Sequence, residues 1–498
     1  MALAQDYRLL GAILAPLLGA GLVMATGRRP NVREGCSLAA ALALFAFVAW
    51  MTANVLGGAR LHLVLCELLP GAGKLHGLRL ALRADAMSLV FALSASFLWV
   101  LTVFYSAGYM RGLQEHKQTR FNTCFALALF GAMGCAFADN LLTLYLFYEI
   151  VSICTYPLVA HHQDEESYES GKKYLTYLTG AAKALVLPAM VLIYVVTGTL
   201  DFAANTRGGI FPPDTGRWLV TVLYACCLLG FAKNAVMPFH NWLPSAMVAP
   251  TPVSALLHAV AVVKVGVFST VRVMLCTFGT DLMGACHLGL PTAYFVSFTI
   301  VVASIIALSK DNLKARLAYS TVSQLSYVIL GVALLSDNGV KGGMVHIANH
   351  AFSKITLFFC AGAIYVATHK KNISELGGLG RAMPWTFGAF ALASLSMIGA
   401  PPVAGFVTKW YLLNGAWDAH AAGIIAVLLA STLLNAAYFA PVIYQGFFGR
   451  ASQADLGHKF SEAPAVIVVP LVVTALISVA IGLYPGFFMS LVQRLFSS

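Results

Sequence analysis

Residues 233–264 read KNAVMPFHNWLPSAMVAPTPVSALLHAVAVVK, and the rest of the chain is organised around them. Lys233 closes an apolar run, WLVTVLYACCLLGFAK, with the length and content of a membrane span. Pro238, Pro244, Pro250 and Pro252 follow, with His240 and Trp242 between them. His258 and Lys264 then sit inside a second apolar run that continues to about residue 274. Ionisable side chains in lipid are expensive, so they face a polar or proton-carrying interior. Proline frees backbone carbonyls at the same depth, which a helix tolerates where it lines a polar cavity. A lysine near a helix end can instead snorkel to the interface, and Lys233 alone could do that. Lys264 lies twelve residues past Pro252, roughly 18 Å at helical rise, which is mid-span.

Of the 498 residues 59% are hydrophobic and only 10% charged. A soluble domain carries roughly 25% charged residues, so the expected class is an all-α polytopic membrane protein. The first apolar run, LLGAILAPLLGAGLVMAT, lacks a charged leader and reads as a retained helix, not a cleaved signal. Ten cysteines are scattered without a CxxC pair and behave as small apolar residues. The net charge of +11 points to no nucleic acid or acidic substrate, because its distribution over loops explains it.

Fourteen spans are expected, at about 8–25, 35–56, 87–109, 119–138, 141–161, 173–197, 217–237, 252–276, 288–308, 317–335, 342–366, 386–415, 421–447 and 463–490. With the N-terminus outside, sixteen Lys and Arg fall on cytoplasmic loops, ten on outer segments and five within spans. That asymmetry predicts both termini outside the inner membrane of a prokaryote. Residues 61–85 alternate around a Pro-Gly turn and predict an outer hairpin.

The organisation expected is an N-terminal unit (1–118), two five-span repeats (119–278 and 288–448) and a last helix (449–498). A proline-broken helix with its lysine is the fourth span of each repeat. Five spans per repeat make the second inverted, a transporter plan.

The five lysines within spans are Lys183, Lys233, Lys264, Lys354 and Lys409. Span 5 carries Glu149, the one carboxylate placed well inside the membrane; it must find a cation or a proton. It reads either as a proton-binding group or as half of a structural ion pair that fixes two helices. The following HHQDEESYESGKKY (161–174) reads as a solvated linker. Lys183, in GAAKALVLP, is either a relay member or a snorkelling anchor. Ser320, Thr321, Ser323 and Gln324 open span 10 and either hydrogen-bond water or join helices. In span 11, His346, His350 and Lys354 stand at i, i+4 and i+8 on one stripe. Two histidines at i, i+4 could hold a metal, but no Glu or Cys completes the set and Lys354 would repel a cation. Imidazole can instead take and give a proton at different nitrogens. Span 12 joins Pro401-Pro402 to Lys409.

With these residues in view the chain resembles the antiporter-like proton-channel subunits of respiratory complex I and of multisubunit Mrp-type sodium/proton antiporters. Related subunits occur in membrane-bound hydrogenases. The residues that carry the resemblance are Glu149 in LFYEIVSICTYPLV, Lys233 with PFHNWLPSAMVAPTPVSALLHA, and Lys264. HAFSKITLF (350–358), Lys409 in GFVTKW and KARLAYSTVSQLSYV (314–328) complete it. The resemblance implies fourteen core helices in two inverted repeats, and no cofactor, metal or flavin held by this chain. It implies a Glu149–Lys233 pair, a central axis of Lys264, His258, His346, His350 and Lys354, and Lys409 as an exit-side switch. His240 and Lys183 are additional candidates. Length and Lys409 resemble the D-type antiporter subunit, since one complex I member has glutamate there. The lateral helix of the largest complex I member is not expected after span 14.

The implied partners are other integral membrane subunits and the lipid bilayer, with protons as cargo and sodium as an open alternative. Burial disfavours an ammonium and a nearby carboxylate favours it, so moving Glu149 would switch Lys233 between holding and releasing a proton. A self-contained secondary transporter of a small solute is the alternative. A membrane enzyme using His240, His346 and His350 lacks a nucleophile–base set.

Overall fold

A computed structural model describes residues 5–450 and 461–496, apart from the side chains of residues 257 and 258. The chain begins with α1 (Arg8–Ala25) packed along α2 (Pro30–Leu56). A hairpin of β1 (Leu61–Leu69) and β2 (Leu78–Ala84) follows, antiparallel around the Pro-Gly turn the sequence predicts. Asp85 then caps α3 (Ala86–Gly112): its carboxylate accepts from the Ser88 amide at 2.9 Å, and the Ser88 hydroxyl accepts from the Asp85 amide at 2.8 Å.

Next come α4 (Gln118–Phe137), α5 (Leu141–Val159), α6 (Glu165–Ala181) and α7 (Leu187–Thr197), the last two joined through a π-helical turn at Ala182–Val186. α8 (Arg217–Gly230) leads into an irregular stretch holding short α9 (Trp242–Ser245) and α10 (Thr251–Ala255), then α11 (Val262–Val273) and α12 (Thr280–Ala285). The second half runs α13 (Gly289–Leu308), α14 (Leu313–Ala333), α15 (Asp337–Thr368), α16 (Leu379–Ala382), α17 (Pro384–Ile398), α18 (Ala404–Asp418) and α19 (Ala422–Phe448). α20 (Ala465–Leu483) and α21 (Gly486–Gln493) close the described chain.

Among the described residues ten helices are long and apolar enough to cross a membrane, counting Glu165–Thr197 as one. The other four of the fourteen expected spans are where helices are interrupted or polar: 217–234, 251–278, 313–333 and 384–418. Burial separates centre from rim. The apolar window of α15 is 78% buried, against 33–39% for α1, α2, α19, α20 and Glu165–Thr197. α15 packs on α14, α17, α18, α20 and α3, so its polar residues face protein on every side.

Three expectations need correction. The 161–174 stretch is not a solvated linker: α6 begins at Glu165, capped by Asp164, and the His161 side chain is fully buried. Asp/Glu at a helix start complement its exposed amides, which is why these charges mark an N-terminus. Span 8 is not continuous; a π-helical turn at Leu256–Val260 ends at a bend on Ala261, three residues before Lys264. The last helix is split at Pro485 into α20 and α21.

Candidate functional site

Both proline-rich breaks fall where the sequence places them, and polar side chains occupy the carbonyls they release. After α8, Lys233 lies in a single 3-10 turn, Ala232–Asn234. The Trp242 indole donates to the Ala232 carbonyl at 3.0 Å and the Asn234 amide to the Leu228 carbonyl at 2.9 Å. Gly266 of α11 is what lets that helix touch the break: a Cβ there would stand 2.2 Å from the Lys233 carbonyl carbon. Between α17 and α18, Asn435 donates to the Met397 carbonyl at 3.1 Å and Asn349 to the Ala404 carbonyl at 2.7 Å. Gly405 allows an equally close approach, since its Cβ would lie 1.7 Å from the Ser396 oxygen.

Four lysines are buried in this interior: Lys233, Lys264, Lys354 and Lys409 are 0%, 1%, 0% and 7% exposed. None reaches a carboxylate; among the described residues no ion pair within 4.0 Å includes any of them. Lys233 Nζ donates to the Tyr148 carbonyl and the Ser152 hydroxyl, both at 2.7 Å, over the Tyr148 ring. Lys264 Nζ meets His350 Nδ1 at 2.7 Å. Lys354 Nζ donates to Ser320 Oγ at 2.8 Å, and Tyr438 donates to the same oxygen at 3.0 Å. Lys409 Nζ reaches back across the second break to the Ile398 carbonyl, 2.7 Å, and to Thr432 Oγ1, 3.0 Å.

The stripe on α15 is buried as a unit. His346 Nδ1 lies 3.1 Å from Thr408 Oγ1, and the His346 and His350 rings are 5.9 Å apart. The charges of Lys264 and Lys409 both act on His346, and that of Lys354 on Lys264. Lys264, His350, His346 and Lys409 therefore form one electrostatic row, with Lys354 beside it. Of the four polar residues that open α14, Ser320 holds Lys354, while Ser323 bonds Ser304 at 3.0 Å and so joins helices.

Neutral partners give these lysines two comparable states. Removing an ammonium from water costs several kcal/mol, and each hydrogen bond to it returns about 1.5–3 kcal/mol. A hydroxyl or imidazole can accept from the ammonium and, by turning, donate to the amine. A carboxylate partner can only accept.

The expected Glu149–Lys233 contact is not formed. Glu149 is half-buried on α5, and its Oε1 has no hydrogen-bond partner. Lys233 and Lys183 are the cations whose charge acts on it. Lys183 is exposed in the π-helical turn before α7. His240 is half-buried beside the Tyr319 ring, 6.4 Å away, and no hydrogen bond joins it to the row. The side chain of His258 lies outside the described residues.

The sequence does not single out Arg272. It is 1% exposed on α11 and grips Asp85 in a fork, with contacts of 2.5 and 2.9 Å. Burial pushes the Asp85 carboxyl up, but the charges of Arg272 and Arg83 outweigh it and hold it well below the usual carboxylate range. The signal was a basic residue one turn inside an expected span, with an aspartate capping another.

The family described as NADH:quinone oxidoreductase/Mrp antiporter, transmembrane, matches residues 138–435. The chain is 33% identical over 403 residues to NADH-quinone oxidoreductase subunit N of Desulforudis audaxviator, covering 78% of this chain and 79% of that one. It is also 33% identical over 489 residues to subunit L of Mycobacterium tuberculosis, covering 94% and 74%. A Na(+)/H(+) antiporter subunit of Alkalihalophilus pseudofirmus is 31% identical over 440 residues, 82% of this chain and 53% of that longer one. Two solved structures share the fold at a TM-score of 0.86. One is the Mrp complex of Dietzia (20% identity, covering 98% and 96%), the other an archaeal membrane-bound sulfane sulfur reductase (24%, covering 99% and 97%).

Proposed function

The chain belongs to the NADH:quinone oxidoreductase/Mrp antiporter family, and from that premise we propose that it is the antiporter-like, proton-translocating membrane subunit of a multisubunit ion pump. The observation that carries this reading is four buried lysines held by hydroxyls, carbonyls and an imidazole, with Lys264 and Lys409 at the two ends of the row through His350 and His346. A proton enters the row at one lysine as its hydroxyl or imidazole partner turns, passes by way of His350 and His346, and leaves past Lys409 at the second helix break. Glu149 modulates: swung toward Lys233 it stabilises the ammonium, and withdrawn it releases it.

This chain supplies the conduit, beside other integral membrane subunits. Energy enters from a redox partner of NADH dehydrogenase or hydrogenase type, or from sodium exchange. Sodium itself is a poor fit to this row, where four cationic side chains would repel it. A self-contained solute transporter would need a selective midplane pocket. The two halves, 119–278 and 288–448, act as inverted repeats, each with a break and its lysine, between the 1–118 and 449–498 units. The loop charges favour a prokaryotic inner membrane with both termini outside.

The test is Lys354→Met in the reassembled complex. Proton flux into vesicles should fall to background at unchanged subunit content. Undiminished flux overturns the relay.

A further inference from the structure

Three histidines and one carboxylate meet where the α3–α4 turn touches the α5–α6 turn. Glu115 Oε2 lies 3.7 Å from His161 Nε2, 3.8 Å from His162 Nδ1 and 4.0 Å from His116 Nδ1. Ligand atoms of Glu115, His116 and His162 all lie within 4.8 Å of one another. His161 is the independent sign that something belongs there. Its side chain is fully buried, and neither ring nitrogen finds a hydrogen-bond partner. A buried polar atom without a partner is costly, so a native site that keeps one leaves room for a missing partner. From this geometry we propose that Glu115, His116, His161 and His162 bind a divalent transition-metal cation of the Zn2+ class, bridging the two turns.

The donor set fits that class. Zn2+ takes His nitrogen and carboxylate oxygen at about 2.0–2.2 Å in a tetrahedron, which spaces neighbouring ligands by about 3.3 Å. The three contacts from Glu115 exceed this by no more than about 0.7 Å and the pairs among Glu115, His116 and His162 by no more than about 1.5 Å, which side-chain rotation about an open centre closes. Mg2+ and Ca2+ want oxygens only and are disfavoured by three imidazoles. The turns are held in place without the metal: Arg120 Nη2 donates to the His161 carbonyl at 2.8 Å, and the Gln118 amide to the Glu115 carbonyl at 3.1 Å. Of the nearby cations, Lys117 is engaged by the Gln163 side chain, Arg120 by the His161 carbonyl, and Lys314, which lines the same cavity as Glu115, by the Ala249 carbonyl at 2.7 Å.

Position gives the site a consequence. Glu115 and His162 line a cavity of about 510 Å³ that also reaches Pro250 and Thr251 at the start of α10, and Lys314 on α14. A metal there would sit at that cavity's rim and tie α3 to α5.

The test uses the assembled complex, stripped with a chelator and titrated with ZnCl2. One Zn2+ per chain should bind saturably, unaffected by excess Mg2+, and raise the melting temperature. His116→Ala/His162→Ala, whose side chains are the more exposed pair, should weaken binding at least tenfold and abolish the thermal shift. Glu115→Gln, close to isosteric, should also weaken binding and guards against misfolding of the double variant. Unsaturable binding to the wild type overturns the proposal. So does Zn2+ held equally tightly by the double variant and Glu115→Gln.

Discussion

Lys409→Ala and Lys409→Arg, made side by side, separate a proton carrier from a structural cation. Lys409 makes two hydrogen bonds through Nζ, to the Ile398 carbonyl and to Thr432. Thr432 keeps its own bond to the Leu428 carbonyl at 3.0 Å, so alanine strands only the Ile398 carbonyl, at about 1–3 kcal/mol. No buried carboxylate is left behind, because Lys409 pairs with none. Alanine is also the best helix former. Against a typical stability of about 5–15 kcal/mol, the chain should still fold and assemble. Arginine keeps the charge, but its delocalised guanidinium does not release its proton at working pH. Both variants, reconstituted in vesicles with normal subunit content, should therefore lose coupled proton flux read with a pH-sensitive dye, alanine and arginine alike to below roughly a hundredth. Full flux in Lys409→Arg would refute the carrier role and make Lys409 an anchor.

Glu149→Gln should lower flux while shifting thermal stability by less than about 1 kcal/mol, since the carboxylate makes no ion pair in this state; a large melting-temperature loss would mean that a structural pair exists. Arg272→Met leaves the half-buried Asp85 to Arg83, at 3.4 Å, and the Ser88 amide, and should cost about 1.5–3 kcal/mol; differential scanning of the purified complex checks it, and Asp85→Asn added to it should recover part of the loss. Gly399→Ala imposes φ +89 on a residue with a side chain and puts its Cβ 2.5 Å from Lys409 Cδ. About 1–3 kcal/mol of strain follows, and flux should drop further than stability because Lys409 is displaced from Ile398; unchanged flux would show that its position is not critical.

Most of the helix plan is legible in the sequence because lipid imposes one rule, a long apolar run for each crossing. Even the two breaks could be placed, since Pro238 follows Lys233 and Pro401-Pro402 precede Lys409, lysines that lipid would not accept. What could not be read is what each charge touches. The i, i+4, i+8 stripe on α15 puts His346, His350 and Lys354 on one face, yet Lys354 turns to Ser320 while His350 takes Lys264. That division depends on where α14 and α11 pass, which no local pattern encodes. The π-helical turns at 182–186 and 256–260 were equally hidden, because one extra residue per turn leaves no compositional mark. The buried His161 reads as part of a linker because a run of acidic residues looks the same whether it floats in water or starts a helix.

The contrast between Arg272 and the lysines shows how one interior holds two kinds of cation. Arg272 is almost as buried as Lys233, but its partner is a carboxylate, and its guanidinium does not deprotonate. That pair is fixed charge on fixed charge. It ties α11 to the start of α3 and has no second state to visit. Each buried lysine has the opposite arrangement, an amine that can lose its proton against a partner that is neutral in this structure. Exchanging the two partner types should exchange the roles. A carboxylate placed beside Lys354, as in Ser320→Asp, would favour the ammonium and leave the fold intact while stopping flux. The measurement is proton transport by Ser320→Asp beside Ser320→Ala. If the lysine works by alternating between charged and neutral forms, Asp should be the more damaging of the two, although it keeps an oxygen where Ala removes one. If Ala is worse, Ser320 serves Lys354 only as a hydrogen-bond acceptor, and the two-state account of the row fails.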